Sequence, residues 1–209
     1  MKTILVVMVT VISAYVLGSV NGAIITSKFL YRKDIRKFGS GNPGLTNFYR
    51  VFGKTGVLLV VVVDVVKTVG PALFGGWLFG RYFDLTILGR TLAGFFVMLG
   101  HCFPLFYKFQ GGKGVMTAGA ILFVLDWRVA LISWGVFAII TASTKYVSLG
   151  AMIGCTMYPV SMLIFGIGDY KEFIAALGCA ILIIARHQAN IRRLIKGQES
   201  KLMFRKEKK

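Results

Sequence analysis

Acidic side chains are scarce in this sequence: 8 Asp and Glu stand against 25 Lys and Arg, a formal net charge of +17 over 209 residues. That imbalance favours anionic partners. The positive residues fall between and after apolar runs, which points to an anionic membrane surface or anionic small molecules and away from nucleic acid. Cysteine is sparse too. Cys102, Cys155 and Cys179 lie in or beside apolar runs with no CxxC spacing, so they read as small buried hydrophobes, not as disulfides or metal ligands. Histidine occurs only at 101 and 187. The patterns G-x-x-x-x-G-K-[ST], HExxH and G-x-S-x-G are missing, which argues against P-loop nucleotide binding, zincin proteolysis and nucleophile-elbow hydrolysis. No metal and no cofactor is expected. No repeat or pair of broken half-helices of transporter type stands out.

What is abundant is apolar sequence. Hydrophobic residues make up 56% of the chain, against roughly 45–50% in soluble domains with glycine included, and they are gathered in blocks. A helix needs about 20 apolar residues to cross a bilayer. Seven candidate spans follow: 4–30, 56–79, 85–106, 115–125, 129–142, 146–167 and 173–185. The first is too long for a signal-peptide core and is expected to remain as a helix. The fourth and fifth are short and separated only by Asp126, Trp127 and Arg128. The intervening loops alternate in positive charge: Arg32, Lys33, Arg36, Lys37, Arg50 and Lys54 crowd the first, the next is nearly balanced, and the tail after Ala185 is strongly basic. By the positive-inside rule this predicts an all-α integral membrane protein of seven transmembrane helices, N-terminus outside and C-terminus cytoplasmic. It forms one polytopic domain over 1–209 with a disordered basic tail from 200.

That topology puts three polar stretches on the cytoplasmic face. The first, "GSGNPGLTNFYRVFGKTG" at 39–56, offers glycine-exposed amides, the neutral hydrogen-bonding groups of Ser40, Asn42, Thr46 and Asn47, and Arg50, whose planar fork fits phosphate oxygens. The second holds Gly111, Gly112, Lys113 and Gly114 directly before an apolar helical run. A helix start of this kind presents free N–H groups to an anion. In the third, Arg186, Asn190 and Arg193 recur at i, i+4 and i+7, one face of a helix, with His187 beside them. Each stretch also has a plainer reading: a flexible loop on headgroups, a helix start with a surface lysine, a basic helix end snorkelling into the interface. Arg36 reads as a screened surface charge. Asp64 and Lys67, at i and i+3 within the second span, are expected to pair, since a lone charge there costs about 2.5–3.5 kcal/mol or more. His101 reads as structural and Ser148 as a substrate contact or a cap.

Neither histidine has Asp five residues on, so the His-x4-Asp motif of coenzyme-A-dependent glycerolipid acyltransferases is absent. In these three stretches the sequence resembles the PlsY-type, acyl-phosphate-dependent glycerol-3-phosphate acyltransferases. The first stretch looks like that family's G-S-x-N-x-G-x-T-N-x-x-R-x-x-G, from Gly39, Ser40, Asn42 and Gly44 through Thr46, Asn47 and Arg50 to Gly53. Phe109 to Thr117 is similar to its F-x-G-G-K-G-V-x-T. Arg186, His187, Asn190, Ile191, Arg193, Leu194, Gly197 and Glu199 follow its R-H-x-x-N-I-x-R-L-x-x-G-x-E. Asp64 and Lys67, "LGH" at 99–101 and "YVSL" at 146–149 are smaller marks. Pro43, Thr68, Gln110 and Met116 depart from the common pattern. The resemblance implies transfer of a fatty acyl group from acyl phosphate to the 1-hydroxyl of sn-glycerol 3-phosphate at the cytoplasmic face of a bacterial inner membrane. It implies Ser40, Arg50, Lys113, His187 and Asn190 as the core site. Gly39, Asn42, Gly44, Thr46, Asn47, Gly111, Gly112, Gly114, Arg186, Arg193, Ser148 and Lys67 would line the substrates. Glycerol 3-phosphate, acyl phosphate and anionic lipid headgroups are the expected partners, with oligomeric state open. A transporter for a phosphorylated solute is the rival reading; a non-catalytic membrane scaffold is a third.

Overall fold

The computed structural model describes residues 1–202. Ten α-helices are found among them: α1 (Lys2–Gly18), α2 (Gly22–Tyr31), α3 (Leu45–Phe52), α4 (Val57–Phe83), α5 (Thr86–Cys102), α6 (Val115–Leu125), α7 (Trp127–Thr144), α8 (Val147–Phe165), α9 (Tyr170–Arg186) and α10 (Gln188–Ile195). Five stretches are long and apolar enough to cross a membrane: Lys2–Tyr31, Val57–Phe83, Thr86–Tyr107, Trp127–Thr144 and Val147–Phe165. A sixth, α9 with α10, qualifies only as a pair bent by 58°. The expected fourth span coincides with α6. At 11 residues it rises only about 16 Å, roughly half the hydrocarbon thickness.

Two expectations need correction. The fifth span is not short. Asp126 ends α6 and caps α7, its carboxylate accepting the Arg128 N–H at 2.8 Å, so the three residues taken as a separator include the first turn of an 18-residue helix. The first span is not one continuous helix. It breaks at residues 19–21, where Asn21 caps α2 by accepting the Ile24 N–H at 2.9 Å and donates to the Pro43 carbonyl at 3.1 Å. The break thereby anchors the loop that follows α2. The expected disordered tail lies mostly outside the described residues. Of its first three, Leu202 donates its N–H to the Lys145 carbonyl at 2.7 Å.

Without a hydrophobic drive between lipid-bathed helices, close packing depends on small residues. Gly18 and Gly100 bring α1 and α5 into backbone contact: a methyl at Gly100 would strike the Tyr15 carbonyl and the backbone of Gly18 and Ser19. Gly75 and Gly89 join α4 to α5 in the same way, and Gly150 and Gly154 join α8 to α7. Met98, Cys102, Leu122, Val129, Tyr158, Met162, Cys179 and Ile183 form the main core where α5 to α9 meet. A second core of Ala23, Ile24, Ile35, Phe48 and Val60 seats α3 against α2 and α4, reinforced by Tyr31 stacking on Phe52 at 4.2 Å.

Gly100→Ala is expected to lower thermal stability in detergent by about 1–3 kcal/mol, the usual cost of overpacking. Gly70→Ala, where nothing lies within 4 Å of the added carbon, serves as the neutral comparison in the same melting assay.

Candidate active site

The three polar stretches converge. A cavity of about 600 Å³ is lined by Ser40, Asn42, Thr46 and Arg50 from the first, by Lys113 and Gly114 from the second, and by His187, Asn190 and Arg193 from the third. Gly39, Gly44, Asn47 and Ser148 also border it. Trp134, Phe137 and Ala151 form its apolar wall and run on into a crevice between α6, α7, α8 and α9. A second opening of about 380 Å³, lined by Arg36, Gly111, Lys113, Arg186 and Arg193, adjoins the polar end.

The first loop is shaped from within. Asn47, 2% exposed, accepts the Ser40 N–H at 2.9 Å and donates to the Phe38 carbonyl at 3.0 Å, so its amide holds the loop closed. Phe48 buries the opposite side of α3. Thr46 and Arg50, four apart, share the face toward the cavity, and Arg50 makes no hydrogen bond or ion pair among the described residues. Arg36 departs from its expected role. It pairs with Asp34 at 2.7 Å and reaches the Tyr107 carbonyl at 3.1 Å, tying the loop to the turn after α5. That hydrogen-bonded guanidinium holds the Asp34 carboxyl below the usual carboxylate range.

The glycine loop is clamped on two sides. Gly112 donates its N–H to the His101 carbonyl at 3.1 Å. Arg186 donates to the carbonyls of Gly111 at 3.1 Å and Gly112 at 3.2 Å. Side chains at Gly111 or Gly112 would collide with His101 and Pro104, and Gly114 sits at φ +81, where an L residue is strained. The N–H groups of Gly111, Lys113 and Gly114 have no backbone acceptor among the described residues. They remain available to an anion at the start of α6.

The third stretch does not form one helical face as its spacing implied. The chain bends at His187, whose Nδ1 lies 2.8 Å from the Ile183 carbonyl. Nδ1 therefore carries the hydrogen and Nε2 the lone pair. Arg186 is left on the loop side of the bend, and Asn190 and Arg193 on the cavity side. Lys113 Nζ donates to Asn190 Oδ1. Asn190 Nδ2 donates to Glu199 Oε1 at 2.6 Å, Ser148 donates to the same oxygen at 2.8 Å, and Arg193 pairs with Oε2 at 2.7 Å. Burial opposes the charge on Glu199, yet these bonds from Asn190, Ser148 and Arg193 keep its carboxyl below the ordinary value. Ser148 is thus held by Glu199 and does not cap α8, whose N-cap is Tyr146.

Lys67 does not reach the cavity as a free cation. Its ammonium spends three hydrogen bonds on Val20 O at 2.6 Å, Asp64 at 2.8 Å and His101 Nδ1 at 2.8 Å. The expected Asp64–Lys67 pair is present. Asp64, His101 and Glu199 border the cavity but were not read as site residues. Glu199 closes the third motif and His101 ends "LGH", so a signal existed, but nothing in the spacing tells which motif members turn inward.

A polytopic helical membrane protein that gathers unpaired cations and open amides at one end of an apolar crevice belongs with membrane enzymes acting on phosphorylated amphiphiles. The family model described as glycerol-3-phosphate acyltransferase matches residues 8–197. A glycerol-3-phosphate acyltransferase of Thermoanaerobacter pseudethanolicus is 38% identical over 193 residues, 92% of this chain and 94% of that one. One from Staphylococcus saprophyticus is 34% identical over 201 residues, covering 95% and 98%. Crystal structures of PlsY, an integral membrane glycerol 3-phosphate acyltransferase, superpose with TM-scores of 0.85 for the glycerol 3-phosphate form and 0.83 for the lysophosphatidic acid form. Those matches are at 34% and 33% identity, over 94% and 95% of this chain and 96% of each of those. The chain belongs to the glycerol-3-phosphate acyltransferase family and is an acyltransferase of phospholipid synthesis.

Burial pulls the Lys113 ammonium down to about 8, with Arg193, Arg186 and Arg50 adding to it and Glu199 opposing. An anion beside Lys113 favours its charged form. Affinity for the ligand whose phosphate meets Lys113, glycerol 3-phosphate or a non-hydrolysable acyl phosphonate, should therefore hold below pH 8 and fall as pH rises past it. Calorimetric titrations between pH 6.5 and 9.5 should show this inflection in the parent protein and none in Lys113→Met.

Proposed function

We propose that the chain moves a fatty acyl group from acyl phosphate to the 1-hydroxyl of sn-glycerol 3-phosphate, yielding 1-acylglycerol 3-phosphate and phosphate. The observation that carries this reading is one cavity with a cation-lined polar end and an apolar wall running on toward a crevice between helices. Both substrates bring a phosphate, and one also brings an acyl chain. The polar end serves the phosphates and the crevice the chain.

An acyl phosphate is a mixed anhydride with a good leaving group, so holding the hydroxyl against the acyl carbon and stabilising developing charge suffices for catalysis. Lys113 and the open amides of the 111–114 loop bind a phosphate. Arg50, with Ser40 and Thr46 beside it, takes a second phosphate or the oxyanion. Asn190 and Arg193, set by Glu199, orient glycerol 3-phosphate. The bare Nε2 of His187 accepts the hydrogen bond of the attacking hydroxyl. As the new ester forms, the bond from the acyl carbon to the phosphate oxygen breaks, and the departing phosphate carries the proton away. Burial first, and then the cations Lys113 and Arg186, disfavour an imidazolium at His187, which makes the phosphate the better terminal acceptor.

The topology belongs to the same proposal: seven crossings in a bacterial inner membrane, N-terminus outside, with the cavity open to the cytoplasm. In it α6 and the bent α9 complete the set. The positive loops supply the orientation, and Lys28, Arg32, Lys33 and Lys37, clustered on one exposed face, hold anionic headgroups on that side.

Purified protein given glycerol 3-phosphate should form lysophosphatidate with acyl phosphate, and little or none with acyl-CoA as sole donor. Comparable turnover with acyl-CoA would refute the donor assignment. Under the same assay Arg50→Ala should lose about 10²–10³ in rate, the usual loss for one preorganised donor. Lys37→Ala, an exposed charge away from the cavity, should retain nearly all activity. Equal mild losses in the two would instead favour a headgroup-binding loop.

A further inference from the structure

The chain has two histidines, and their surroundings give them opposite faces. His187 presents a lone pair at Nε2 because Nδ1 donates to Ile183. His101 is built the other way round. It is 3% exposed at the end of α5, and its Nδ1 lies 2.8 Å from Lys67 Nζ. The same Nζ faces the Val20 carbonyl and the Asp64 carboxylate, and Asp64 Oδ1 also accepts the Gly22 N–H at 3.1 Å. An ammonium balances the buried carboxylate, whereas a neutral amine would leave that charge uncompensated in the membrane. With Lys67 an ammonium, all three of its hydrogens are donated and Nδ1 of His101 must accept. The proton of a neutral His101 ring is then on Nε2. That atom takes no protein acceptor among the described residues, and it lies against Gly112, where a side chain would collide with it. His101 borders the same cavity as Lys113 and Gly114.

The geometry points to His101 as a further substrate-binding residue: its Nε2–H donates to a phosphate oxygen of a substrate seated against the 111–114 loop. Asp64 and Lys67 are the positioning residues that set this tautomer. The inference rests on the reading of the cavity as a phosphate site. It also gives a reason for Gly112 to be glycine: the missing side chain leaves the donor uncovered. The phosphate belongs either to glycerol 3-phosphate or to the acyl donor, and the two are separable by adding each alone.

With only two histidines, protein labelled with ¹⁵N-histidine gives a resolvable imidazole spectrum, and His187→Gln assigns His101. The expected spectrum shows His101 bare at Nδ1 and protonated at Nε2. Its Nε2–H resonance should move on saturation with glycerol 3-phosphate alone or with a non-hydrolysable acyl phosphonate alone, and whichever moves it names the phosphate. Lys67→Met should leave His101 as a mixture of tautomers. In kinetics His101→Gln, which returns an N–H near the Nε2 position, should keep activity within about tenfold. His101→Asn, which reaches only the Nδ1 position, should lose on the order of 100-fold, through KM for the substrate whose phosphate is bound. Equal losses in the two variants, or calorimetric binding of both ligands with no movement of the His101 signal, overturns the inference while leaving the phosphate site intact. Failure of both ligands to bind the unmodified protein overturns the inference and the reading of the cavity together.

Discussion

The double glycine at 111–112 is the point on which the site depends. A loop leaving the membrane end of α5 must turn back into α6 while keeping its amides open to an anion. It does so because the two residues have no side chains and because both sides of the loop are tied down. The His101 carbonyl takes one amide, and Arg186 takes two carbonyls. Backbone groups that would otherwise need water are satisfied by groups from α5 and α9, as a region with little water requires. The amides left over are those next to Lys113.

Charge in the cavity is balanced by a division of labour. Arg186, Lys67 and Arg36 hold partners within the protein, so their positive charge is spent on building the site, while Arg193 pairs with Glu199 and still borders the cavity. Among the described residues Arg50 is uncommitted, and Lys113 contacts only a neutral amide. Glu199 is the hub of a second set of contacts, since one carboxylate fixes Ser148 of α8 and Asn190 and Arg193 of α10. A part-buried network of this kind is rigid when every member is satisfied, and it holds Asn190 in place beside Lys113.

Membrane-embedded helices, the short α6 and the Asp64–Lys67 pair are legible in the sequence, because the bilayer sets a length and a polarity that composition alone can meet or miss. The three motifs are legible for a related reason: glycine, asparagine and arginine interrupting apolar sequence are costly unless they serve a site. Boundaries were harder to read. The break at residues 19–21 is invisible to hydropathy, since Ser19, Val20 and Asn21 barely lower it. The bend at His187 is invisible to helical spacing, since Arg186, Asn190 and Arg193 fit an ideal helix that the chain does not follow.

By itself the sequence determined that this protein is helical, lies in a membrane, carries cations toward an anionic partner and belongs to a family whose motifs it spells out. It could not say which of those cations are free. Arg36 and Arg186 look as available as Arg50 on paper, yet each is tied to a carbonyl that only folding brings near, 71 positions away for Arg36 and Tyr107 and 75 for Arg186 and Gly111. Composition sets the energy of placing a charge in a membrane; which charge finds a partner is decided by the packing of α4, α5 and α9 against the loops, and that is a tertiary fact.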